Sequence, residues 1–168
     1  MTLAVAIAAC SAEPPSSEPT ETVHAAVDWA FQTSFEELVE ASKAIVTGEV
    51  VSSEVRRIGN DGGSQWDVYT VHSVRVAQSI KGAAAPGDLV EVAEMGGAYD
   101  RVLYLANEGL LLENGNDYLL FTMDMQEGLS QLVSGPQGAY RILSDGTLEP
   151  LMTPTIIDID ELEALLHQ

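Results

Sequence analysis

The chain has 168 residues, enough for one domain of ordinary size, and its apolar fraction of 46% is that of a globular protein. Twenty-six acidic residues against seven basic ones give a formal net charge of -19, which argues against nucleic-acid binding and against electrostatic adhesion to anionic lipid. A single cysteine, Cys10, leaves no intramolecular disulfide framework and no cysteine-based zinc site.

The chain opens on MTLAVAIAAC and turns at once into SAEPPSSEPTE. Leu3 to Ala9 is uncharged and apolar, with small residues at its end. Ile7-Ala8-Ala9-Cys10 resembles the lipobox of bacterial lipoprotein signal peptides: an aliphatic residue, two small residues, then the cysteine. The resemblance implies a signal peptide over residues 1–9 and a diacylglycerol on the Cys10 sulfur. Each buried methylene contributes about 0.8 kcal/mol, so two acyl chains anchor stably without a spanning helix. No lysine or arginine lies between Met1 and Cys10, a departure which predicts that translation starts further upstream. The alternative is an ordinary N-terminal helix burying a small cysteine, but SAEPPSSEPTE offers it nothing to dock on.

Residues 10–22 read as the attachment point and a disordered tether. Prolines, serines, threonines and glutamates there cannot bury enough surface to offset the ordering entropy. Residues 23–168 read as one folded domain. Ser34 followed by Glu37 forms a capping box, which predicts a short helix from Phe35 to about Ser42. The period then changes to two. Residues 44–55 predict a strand, with Gly48 marking a bulge or a close backbone approach. IGNDGGSQ at 58–65 is a turn, and Trp66 to Ile80 a long, curved second strand. A third strand spans 89–95, ended by Gly96-Gly97. Residues 98–113 fit strand and helix equally well. Asp117 to Met125 predicts a fourth strand, and 138–150 a fifth, with a hairpin at Ser144-Asp145-Gly146. Asp158 or Asp160 caps a short C-terminal helix.

Strands at this spacing, with helices only at the two ends, predict a mainly-β fold: a small five-stranded antiparallel barrel. The succession TGEVVSSE, YTVHSVRVAQSIKG, PGDLVEVAEMGG, LENGNDYLLF and QGAYRILSDGTL resembles secreted bacterial domains with an oligonucleotide/oligosaccharide-binding (OB)-type barrel, similar in topology to netrin-like inhibitory domains. The resemblance covers about residues 35 to 150. The metalloproteinase inhibition of netrin-like domains does not carry over, because Cys10 would be acylated and no disulfide can form.

No set of residues announces catalysis. GxSxG, HExxH, the phosphate-binding loop and the dinucleotide fingerprint are absent. His24 and His167 lie towards the ends. His72, within the second strand, reads as a satisfied barrel histidine or an exposed strand residue rather than a general base. Acidic groups near Asp61, Asn114 and Asp158 lack calcium-loop spacing, so no metal and no cofactor are expected. Trp66, Tyr69, Tyr99 and Tyr104 are candidates for an aromatic binding face. The expectation is a monomeric, non-enzymatic binding or scaffold domain, lipid-anchored at the extracytoplasmic face of a membrane. Its partner would be an envelope protein or glycan. The alternative is an inhibitor or accessory subunit of an envelope hydrolase.

Overall fold

The computed structural model describes residues 18–59, 66–106, 109–152 and 164. Ile7, Ala8, Ala9 and Cys10 lie outside the described residues, as do turn residues 60–65. The expected C-terminal helix also lies outside them, apart from Ala164.

The elements in chain order are β1 (Glu21–Ala25), α1 (Phe35–Ala41), β2 (Ala44–Gly59), β3 (Trp66–Lys81), β4 (Leu89–Tyr99), β5 (Val102–Ala106), β6 (Asp117–Asp124), β7 (Ser130–Leu132), β8 (Ala139–Ile142) and β9 (Leu148–Pro150). Among the described residues they form one nine-stranded sheet in the order β1-β5-β4-β3-β2-β6-β8-β9, with β7 paired to both β4 and β6. That double pairing closes a ring of five strands: β2, β3, β4, β7 and β6. The sheet is mixed, not purely antiparallel as expected. β1 runs parallel to β5, and β7 parallel to β4.

Helix α1 forms where its capping residues predict. The Ser34 hydroxyl accepts from the Glu37 backbone N–H at 3.2 Å. Glu37 reaches back one residue further than an ideal capping box, accepting from the Thr33 N–H and hydroxyl at 2.7 Å each. Those bonds hold its carboxyl below the usual range. Leu38, on the inner face of α1, is fully buried with Ile45, Leu119, Phe121, Val133, Tyr140 and Leu148. Phe35 and Tyr140 each meet the Phe121 ring edge-on.

A second cluster draws from all five ring strands: Val46 and Val50, Val74 and Val76, Val92, Tyr118 and Leu120, and Leu132. The alternation of β-branched residues read in 44–55 and 66–80 therefore supplies the ring's interior. Gly48 lies within it. A Cβ there would stand 2.9 Å from Val74 Cγ1 and nearer still to the Arg75 carbonyl oxygen. The β2–β3 register shifts at this point, between Thr47 and Gly48. Gly48 thus marks both a bulge and a close backbone approach.

Four boundaries differ from the sequence reading, the first being that β2 runs on past residue 55 to Gly59, into the expected turn. β1 takes in Glu21 and Thr22, which were expected in the tether, although all five of its residues are exposed. Its pairing is of backbone, and it covers polar groups that the β5 edge would otherwise present. β4 runs on through Gly96-Gly97 instead of ending there. The two glycines, at φ 119° and 130°, let the strand leave β3 and pair with β5. The ambiguous stretch 98–113 holds the last two residues of β4 and all of β5 among its described residues.

Candidate functional site

A cavity of about 60 Å³ opens beside β4, lined by Trp29, Tyr69, Glu94, Met95, Leu111, Leu132, Gly135 and Pro136 among others. It is well below the ~150 Å³ that accepts a benzene ring, so it fits a small group rather than a ring.

Trp29 is brought there by polar bonds, not by secondary structure. The Gln137 side chain accepts from the Gln32 N–H and donates to its carbonyl, both at 2.8 Å. Ser134 Oγ donates to the Ala30 carbonyl at 2.7 Å. These bonds fix the segment before α1 against the turn at Gly135–Gly138. The indole then lies on Gly135, where a Cβ would stand 2.6 Å from its nearest ring atom. Trp29 Nε1 is buried and has no hydrogen-bond partner among the described residues. A buried N–H donor of this kind is costly to leave unmade.

Tyr69, on the far wall, is 9% exposed. Burial, and secondarily the charge of Asp67, pushes its phenol above the ordinary value. The fold therefore favours the neutral phenol. This stabilisation is complete below the unfolded pKa of about 10 and is lost as pH rises through the higher folded value. Alkaline denaturation followed by circular dichroism is expected to show a stability loss above about pH 10 that Tyr69→Phe reduces.

Behind the cavity lies a polar relay. The register sets Ser53 of β2 opposite His72 of β3, and His72 opposite Val92 of β4. Glu94, two residues beyond Val92, shares its face. Ser53 Oγ is 2.7 Å from His72 Nδ1, and Glu94 Oε2 is 2.9 Å from His72 Nε2. The latter contact is close but out of line for an N–H hydrogen bond. His72 is 1% exposed and Glu94 8%. Glu94 also accepts the Leu111 N–H at 3.1 Å and the Leu112 N–H at 3.0 Å, which ties the loop after β5 to the ring.

Tyr69 lines the cavity. Tyr99 lies beneath the Arg57 guanidinium, 5.6 Å from its ring centroid. Tyr104 is set opposite Gly97 in the β4–β5 pairing. Neither Tyr99 nor Tyr104 lines the cavity. Trp66 opens β3 opposite Gly59, and its side chain lies outside the described structure. His24 is exposed in β1. Sequence reasoning overlooked Trp29, whose only signal was a large aromatic in a segment of small residues. It also overlooked Glu94, because a buried acid in a strand looks like an exposed one until its face is known.

No protein-family model matches the chain, and no curated protein matches it in sequence.

Proposed function

We propose that the chain is a lipid-anchored extracytoplasmic protein whose folded part is an OB-type barrel with a cavity that binds its ligand without transforming it. The ring order supports the barrel reading. Counted along the chain, ring strands one, two and three are consecutive, the fifth lies parallel to the third, and the fourth returns to the first. Lipidation rests on Ile7-Ala8-Ala9-Cys10. The ten residues 11–20 between the cysteine and β1 span at most about 35 Å when extended, enough to hold the domain off a membrane surface.

The single observation behind binding is that Trp29, which lines the cavity, has a buried Nε1 with no hydrogen-bond partner among the described residues. The cavity suits a small group with an apolar end and a hydrogen-bond acceptor, as in the acylamino group of an envelope glycan. Its carbonyl would accept from the indole, and its methyl would meet Met95, Leu111 and Leu132.

Two measurements test this reading. Metabolic labelling with palmitate is expected to mark the wild type and not Cys10→Ser; label on both refutes the anchor. Titration of the purified protein with N-acetylated chito-oligosaccharide is expected to shift tryptophan emission, and the deacetylated oligosaccharide is not. Gly135→Ala, whose methyl would displace the indole, is expected to weaken that response at least about tenfold. Equal responses to both sugars would refute the ligand class.

A further inference from the structure

Ser53, His72 and Glu94 come from three adjacent strands and form a chain of contacts running from solvent to interior. Ser53 is exposed, and His72 and Glu94 are buried behind it. Glu94 accepts two backbone N–H groups, as an acceptor-only carboxylate does. A carboxylate 2.9 Å from Nε2, even out of line for a hydrogen bond, attracts the ring proton to Nε2, and that tautomer leaves Nδ1 bare towards Ser53. The Ser53 hydroxyl has one proton and two groups within reach: His72 Nδ1 at 2.7 Å and Asn114 Oδ1, which accepts from the hydroxyl at 2.6 Å as the amide is placed. One proton cannot serve two acceptors. A half-turn of the Asn114 amide presents its NH₂ to Ser53 Oγ and leaves the hydroxyl proton for Nδ1. The result is a solvent-facing hydroxyl with a base behind it and an acid holding that base.

We propose that Ser53 is a nucleophile that takes an acyl group from small esters, with His72 as its base. Ser53 Oγ attacks the ester carbonyl carbon, and its proton passes to Nδ1 as the new C–O bond forms. The bond to the leaving alkoxide then breaks. The alkoxide takes the proton from Nδ1 and departs as an alcohol, leaving acyl-Ser53 and a neutral imidazole. Glu94, next to Nε2, stabilises the imidazolium formed in between and acts as a positioning residue. The imidazole is turned about relative to the serine proteases, which use Nε2 towards the serine. Either nitrogen can serve as the base when the other faces the acid. A positioned base of this kind typically contributes 10²–10⁴-fold.

Ser52, the exposed neighbour in the same strand, provides an internal reference. The purified full chain would be treated with p-nitrophenyl acetate, and separately with diisopropyl fluorophosphate for a stable adduct. Peptide mass mapping would then follow each serine. The expected result is modification of Ser53 at least about 100-fold faster than of Ser52. Ser53→Ala should lose the adduct, and His72→Gln should slow it to the Ser52 rate while the fold, checked by circular dichroism, persists. If His72→Gln does not fold, the ratio of the two serines in the unaltered protein decides. Equal rates at Ser52 and Ser53, or no adduct at Ser53, would overturn the proposal and leave the relay as a fastening for the 109–116 loop.

Discussion

Replacing Glu94 by alanine is expected to lower the unfolding free energy by about 2–6 kcal/mol, because two backbone N–H groups lose their acceptor at about 1–3 kcal/mol each. The carboxylate receives the Leu111 and Leu112 N–H groups and lies 2.9 Å from His72 Nε2. Alanine would leave the Leu111 and Leu112 N–H groups without their acceptor, and each donor left unmade costs about 1–3 kcal/mol. Leu112 belongs to the ring's interior cluster, so loosening its backbone also disturbs apolar packing. Against a typical total of about 5–15 kcal/mol, much of the stability would go. Urea denaturation followed by far-ultraviolet circular dichroism measures the loss. Glu94→Gln keeps an oxygen acceptor and nearly the same volume, and is expected to cost clearly less. A loss below about 1 kcal/mol for Glu94→Ala would show that water replaces the carboxylate at these donors.

Gly48→Ala is the second large effect, expected to cost about 3 kcal/mol, at the upper end for an overpacked core. The added methyl would press on Val74 Cγ1 at 2.9 Å and on the Arg75 carbonyl. A side chain can turn aside, but a carbonyl held in a ladder cannot. Gly48 is also paired on both flanks, with Val76 of β3 and Tyr118 of β6, so relief would have to come from shifting two strands at once. Gly59, also in β2, serves as the control, because a Cβ added there would meet no atom of the described residues within 4 Å. Gly59→Ala is expected to stay within about 0.5 kcal/mol of wild type. Equal midpoints for the two variants would mean that the ring does not close as tightly at Gly48 as the geometry requires.

Several elements were legible from residues alone because their signals are local. Ser34 and Glu37 fixed the start of α1 through bonds within one turn. The alternating valines of β2 and β3 named the ring's inner face, and Asp145-Gly146 the turn between β8 and β9. In that turn the Asp145 carboxyl accepts the Thr147 N–H at 3.0 Å. β1 and β7 were not legible. β1 is exposed along its whole length, so it carries no period-two apolar pattern, and β7 is only three residues long. Both owe their conformation to backbone pairing with strands distant in sequence. Gly96-Gly97 misled for a related reason. Glycine pairs signal a stop in an isolated strand, but here they permit a change of partner.

The candidate site was less legible than the fold. Tyr69 was picked out as an aromatic on a strand, but Trp29 reaches the same cavity through bonds from Gln137 and Ser134, which follow it by more than a hundred residues. Ser53, His72 and Glu94 look unrelated in the chain, separated by 19 and 22 positions. Residues alone account for the acidic charge, the mainly-β character, α1 and the faces of the long strands. These follow from composition and from periodicities that each segment carries alone. The mixed ring, the cavity and the serine–histidine–glutamate relay arise from contacts between distant segments. Cross-strand register determines which side chains meet, and register is a property of two segments at once. A slip of one residue between β2 and β3 would turn Ser53 away from His72.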